Sequence, residues 1–152
     1  MRKFAAVLII AGAVAAYWYY QTSYAPVALY KSFAEEILHR HYEAAAAMTD
    51  GLTAADLARS GTQEKIGAGP AMFQTLFPSR FTIDSKETAS DGTITFKATQ
   101  TVLFNPAGVE SAMRAAMYAR MNQVVSVRKV AGQWKVVSFE NVFGSMDTLS
   151  TR

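Results

Sequence analysis

The chain predicts an α+β protein: an N-terminal transmembrane helix, then further helices, then an antiparallel sheet. Three observations predict it. An uncharged run from Phe4 to Tyr30 follows Arg2 and Lys3. Apolar residues then recur at three- and four-residue spacing as far as Met48, the period of an amphipathic helix. From Phe81 onward the period drops to two, with β-branched and aromatic residues alternating against polar ones, as strands with one covered face require. Residues 1–25 read as a signal anchor, 26–145 as one α+β domain, and 146–152 as a polar tail.

The stretch Phe4 to Tyr20 is 17 residues long, the lower limit for a membrane span, and Gln21 to Tyr24 extend it through the interface. The alternative is a cleaved secretory signal, with Phe4 to Gly12 as its apolar core and Ala13-Val14-Ala15 as its small-residue site. Cleavage there would leave Ala16 ahead of Tyr17, Trp18, Tyr19 and Tyr20, aromatic residues of the kind that gather at membrane–water interfaces. The uncleaved anchor is the preferred reading, with residues 4–24 contacting the bilayer. Arg2 and Lys3 put the N-terminus in the cytoplasm and the domain outside it. The chain has no cysteine, which excludes disulfides and a lipidated cysteine. None of Asn105, Asn122 and Asn141 lies in a glycosylation sequon. These features fit a bacterial inner-membrane protein with a periplasmic domain.

The formal net charge is +3, but without Arg2 and Lys3 the 15 basic residues become 13 against 12 acidic ones. That balance excludes a nucleic-acid binder, which concentrates basic charge on one face. Lys97, Arg128, Lys129 and Lys135 fall on predicted strands. A solvated strand face is the plainer reading of them, and a lipid-headgroup or partner patch the sharper one.

Along the domain, Ala25-Pro26 is expected to break the membrane helix, with Pro26 opening the next. Tyr30, Phe33, Ala34, Ile37, Leu38, His41, Ala45 and Met48 form the apolar stripe of one long helix ending at Asp50-Gly51. On its opposite face Glu36 and Arg40 make an i,i+4 pair. Thr53 to Asp56 has capping-box spacing and opens a short helix that stops at Ser60-Gly61. Gly67-Ala68-Gly69 is a breaker, after which Pro70 starts a helix carrying Met72, Phe73, Leu76 and Phe77. Phe81 and Ile83 mark one strand, and Asp91-Gly92 a hairpin turn. Ile94, Phe96, Ala98, Val102 and Phe104 share the core face of a second strand. Val109 to Met117 fits a short helix, a strand from near Ala115 being the alternative. The last hairpin pairs Val124–Val130 with Trp134–Phe143 around Ala131-Gly132, and the apolar character of both faces of its final strand predicts a central strand.

Helices followed by a bent antiparallel sheet, carried by YKSFAEEILHRHYEAAAAMTD and the hairpin VVSVRKVAGQWKVVSF, resemble the nuclear transport factor 2-like superfamily over roughly residues 27 to 144. The resemblance implies helices closing over a curved sheet to form a cone with a pocket. Tyr30, Phe33, Ile37, His41, Met72, Phe73, Phe77 and Phe104 would line that pocket, and Met48, Met113, Met117 and Met121 would make it soft. The plainer reading of these residues is packed core. The superfamily holds enzymes, transport factors and inert scaffolds, so fold does not carry function.

Catalysis of the isomerase kind implied by that resemblance needs an acid in an apolar wall paired with a tyrosine. The strand face assigned to the core carries no acid. Glu140 is the one strand carboxylate with apolar neighbours, and Tyr30 has no acid to pair with. No catalytic, cofactor or metal residue is assigned. His39 and His41, two apart on one helix, would point about 200° from each other and could not share an ion. The expectation is a non-enzymatic, membrane-anchored periplasmic subunit that contacts an envelope protein or a second copy of itself. Apolar-ligand or lipid binding in the cone is the alternative, and an isomerase- or dehydratase-like enzyme the third reading.

Overall fold

The computed structural model describes residues 2–67, 73–106 and 116–148. Helix α1 (Arg2–Tyr19) runs through one π-helical turn (Tyr20–Tyr24) into α2 (Ala25–Leu38), followed by α3 (Tyr42–Ala47), α4 (Ala54–Arg59) and α5 (Thr62–Ile66). Strands β1 (Phe73–Thr75), β2 (Arg80–Thr88), β3 (Ile94–Pro106), β4 (Met117–Val130) and β5 (Gln133–Thr148) follow. All pairings are antiparallel. β1 and β2 lie end to end along one edge of β3, with β4 and then β5 on the other side. The sheet is strongly curled, so the α+β class read from the sequence holds. Register shifts between Ile83 and Ser85 in β2 and at two places along β4–β5 supply bulges, which bend strands and raise their twist.

The core fills the concave side. Ile94, Phe96, Ala98, Val125, Val127 and Val136 meet Tyr30, Phe33, Ala34 and Ile37 of α2. Phe33 packs edge-on to Phe139 with ring centres 4.9 Å apart, and Tyr30 edge-on to Phe81 at 5.5 Å. Each fully buried side chain among these is worth about 1.5–3 kcal/mol over leaving it in water; Phe81 and Phe139 are partly buried. The capping box forms: the Asp56 N–H donates to Thr53 Oγ1 (3.2 Å), and the Thr53 N–H donates back to Asp56 Oδ2 (3.1 Å).

Several expectations are corrected. Pro26 does not break the helix. The π turn absorbs it, with the Ala25 N–H donating to Tyr20 O, so α1 and α2 form one rod. The rod ends sooner than the apolar stripe suggests. The His41 N–H donates to Glu36 O (2.9 Å) and the Arg40 N–H to Ile37 O (3.3 Å), a Schellman ending with Arg40 in the left-handed region at φ 62°. This rotates His41 out of the core stripe. It is exposed and pairs with Glu36 at 2.8 Å, while Arg40 pairs with Glu64 at 2.5 Å and not with Glu36. The break also brings the two histidine rings to 6.1 Å between centres, nearer than one continuous helix would allow.

Phe73 to Thr75 is strand, not helix, because it pairs with the far end of β3. β5 is an edge strand, not a central one. Beyond β4 it gains, among the described residues, a single parallel bridge, Thr49 to Val136. Bulges along β5 shift its side-chain alternation, which is why both faces look apolar in sequence. The strand also takes up residues 146–148 of the expected tail. Among the described residues no helix is long and apolar enough to cross a membrane. The proposed helix starts at Pro70 and Val109, with Met72 and Met113, lie outside the described residues.

Candidate functional site

Two places gather polar side chains around the rod. The first is the interior beneath α2, where the sequence suggested a pocket. There the Tyr30 hydroxyl donates to Gln123 Oε1 at 2.7 Å. The Gln123 amide donates to Gln100 Oε1 (2.9 Å) and Asn141 Oδ1 (3.2 Å). Asn141 Nδ2 donates to Ser60 O (2.9 Å) and Thr62 Oγ1 (3.1 Å), tying the sheet to the short helices. Gln100 Nε2 reaches Ser79 Oγ (3.2 Å), whose hydroxyl donates to Glu35 Oε1 (2.5 Å). Burial, and secondarily the Asp84 charge, push the Tyr30 hydroxyl above its ordinary value, so it stays a donor.

Gln100, Gln123 and Asn141 are almost wholly buried. Buried amides are tolerated only when bonded in this way. The network's chemistry is therefore positional: it fixes which strand and helix faces meet. Tyr30 meets an amide there, not a carboxylate.

The second place is the foot of α1. A π turn bonds each carbonyl to the N–H five residues on, so Pro26, which has none, leaves Gln21 O without that donor. It likewise leaves Thr22 O without an α-type partner. Side chains of the sheet take their place: Trp134 Nε1 donates to Gln21 O (2.9 Å) and Lys86 Nζ to Thr22 O (3.2 Å). Between the rod and the two hairpin tips lies a cleft of about 560 Å³, walled by Trp18, Lys86, Asp91, Arg128, Lys129 and Trp134 among others. The Lys129 ammonium sits 5.5 Å from the centre of the Trp134 ring. The Thr93 backbone N–H and hydroxyl hold the Asp91 carboxyl below its usual range.

The residues singled out in the sequence divide between these places and the surface. Tyr30, Phe33, Ile37 and Phe104 are buried in packing, and Phe73 stacks on Phe104 at 4.8 Å. Phe77 is 64 % exposed, and His41 is on the surface. Tyr17, Trp18 and Tyr19 of α1 and Tyr20 of the π turn are exposed, and only Trp18 of these lines the cleft. Sequence reading missed Gln100, Gln123, Asn141, Lys86 and Trp134 as partners. Gln100 was detectable as a polar residue inside the apolar alternation of β3. The carbonyl bonds at the rod's foot had no local signal.

Among the described residues, no three histidine, cysteine or acidic side chains group closely enough to hold a metal ion. Together the fold and these places define a small α+β domain whose N-terminal helix is continuous with α2 and bonded to the sheet at its foot. Compared with known proteins, the chain matches no family profile, no curated protein and no solved structure.

Proposed function

We propose that this chain is a non-enzymatic, membrane-anchored periplasmic domain, built as a nuclear transport factor 2-like cone, that acts as an accessory subunit through protein contacts. One observation carries the reading: α1 leaves the domain with its apolar surface uncovered. Ile9, Ile10, Val14, Tyr17, Trp18 and Tyr19 are each 62–72 % exposed. A contiguous apolar surface of that kind marks a contact with membrane or protein. The 18 residues of α1 rise about 27 Å, slightly less than the roughly 30 Å hydrocarbon core. Local thinning and the aromatic belt at the helix end make up such a difference.

The clamp at Gln21 and Thr22 gives the anchor a fixed direction, so the domain's reach is confined to neighbours at the bilayer surface. The cone reading is supported by helix-then-sheet order and by the curl of the sheet. Apolar-ligand binding has less behind it, since aromatic rings and the amide network occupy the space under α2.

Fractionation of bacteria expressing the full chain, with N-terminal sequencing of the product, tests the anchor. Retention in the carbonate-washed membrane with residues 1–25 intact is the expected result. A soluble periplasmic product starting at Ala16 overturns it. Site-directed photocrosslinking from the β5 edge then tests the subunit role, which a failure to capture any discrete protein or second copy would end.

A further inference from the structure

We infer that the cleft at the foot of α1 is a binding site for the phosphate of an anionic phospholipid headgroup. The inference rests on the membrane-anchor reading and deepens it. Its first support is charge. Lys86, Arg128 and Lys129 face the cleft against one carboxylate on the same wall, Asp91. Asp91 is already engaged by Thr93 and also feels the Arg128 charge, while Arg128 makes a 3.6 Å contact with Asp50 outside that wall.

The second support is placement. Trp18, which forms part of the wall, is on α1 itself, two residues before the π segment. The bilayer surface that α1 would enter therefore lies at the cleft's mouth. Trp134 also lines the cleft, with its N–H committed to Gln21 O and its ring facing Lys129. Two indoles sharing one wall with lysine and arginine match a headgroup level, where apolar carbons and phosphates meet.

The third support is construction. Lys86 is held by its bond to Thr22 O, so one cation is pre-placed and not free to collapse onto an acid. An ammonium has three donors, which leaves two for an incoming oxygen. Arg128 offers a planar fork suited to phosphate. A volume of about 560 Å³ accommodates a glycerophosphate group.

Native mass spectrometry of the full chain, released from micelles of equimolar phosphatidylglycerol and phosphatidylcholine, tests the site. The expected result is selective retention of phosphatidylglycerol that added inorganic phosphate does not displace. The double variant Arg128→Gln/Lys129→Gln should lose about fivefold in retention for each cation removed. A control double variant, Lys65→Gln/Lys97→Gln, takes the same charge from exposed positions outside the cleft and should retain the lipid. Equal retention of the two lipids by the wild-type chain overturns the proposal, as does equal loss in both double variants. Displacement by inorganic phosphate reassigns the cleft to a free anion and ends the lipid reading. Failure of the anchor itself is distinguishable, because carbonate washing then frees the wild-type chain from membranes whatever their charge.

Discussion

The indole N–H of Trp134 and the carbonyl of Gln21, 113 residues apart in the chain, are joined by a 2.9 Å hydrogen bond. It couples the last hairpin to the point where the N-terminal helix changes its winding. Trp134→Phe keeps most of the ring and removes the donor. The expected outcome is a loss of about 1 kcal/mol, with faster amide exchange in residues 20–27. Thermal melts and hydrogen exchange check it.

The interior network makes a sharper prediction. Gln123→Leu keeps the volume but strips partners from Tyr30, Gln100 and Asn141 at once. Leaving buried polar groups unmet costs about 1–3 kcal/mol each, so this variant should be among the most damaging single changes. Tyr30→Phe alone should cost less. Pairing the two in a double-mutant cycle should show strong non-additivity, since they share a bond.

At the β4–β5 turn, Ala131 and Gly132 both have positive φ, 49° and 84°. That is the type I′ geometry, in which asparagine before glycine is favoured and alanine is strained. Ala131→Asn should stabilise by about 1 kcal/mol, read as a raised melting temperature with the sheet register unchanged.

Gly61 matters for a different reason. A Cβ there would lie 2.0 Å from Glu64 Oε2 and 2.3 Å from the Tyr42 hydroxyl, which bond one another and close over Arg40. Gly61→Ala should destabilise by about 1 kcal/mol, the worth of the Tyr42–Glu64 hydrogen bond that must shift aside, although its backbone angles suit any residue. Denaturant titration measures the loss.

Stability should fall at both ends of the pH scale. Thr53, through its hydroxyl first and its backbone N–H second, holds Asp56 below the usual carboxylate range. Such a group adds stability above its unfolded value of about 3.9 and loses it as pH drops through the lower folded value. Asp56→Asn should flatten that acid limb. Tyr30 works oppositely: its raised hydroxyl adds stability below about pH 10 and loses it above. Melting temperatures across pH, with Tyr30→Phe for the alkaline limb, check both.

Much of this architecture was readable because it is locally encoded. Thr53 and Asp56 announce their helix start, Asp91-Gly92 and Ala131-Gly132 announce their turns, and the alternation from Ile94 to Phe104 announces a covered strand. What escaped depends on partners distant in sequence. The helix stops at Leu38 although its apolar period continues, because Arg40 accepts a strained backbone while pairing with Glu64. Phe73 to Thr75 becomes strand because β3 is long enough to offer it an edge. At the candidate site Arg128 and Lys129 were visible as strand charges, and Lys86 was not. The cleft was not, since it exists only where the rod meets two hairpin tips.

The π turn also sets an angular relation. Its wider winding puts the stripes of α1 and α2 out of phase, so the face that α2 turns to the sheet is not the face along which α1 continues. Winding the same five residues as ordinary α-helix would instead swing all of α1 by about 100°. Trp18 would leave the cleft, and Gln21 O would turn away from Trp134. The five residues of that turn act as an indexing joint, and its setting decides which side of the helix the domain faces.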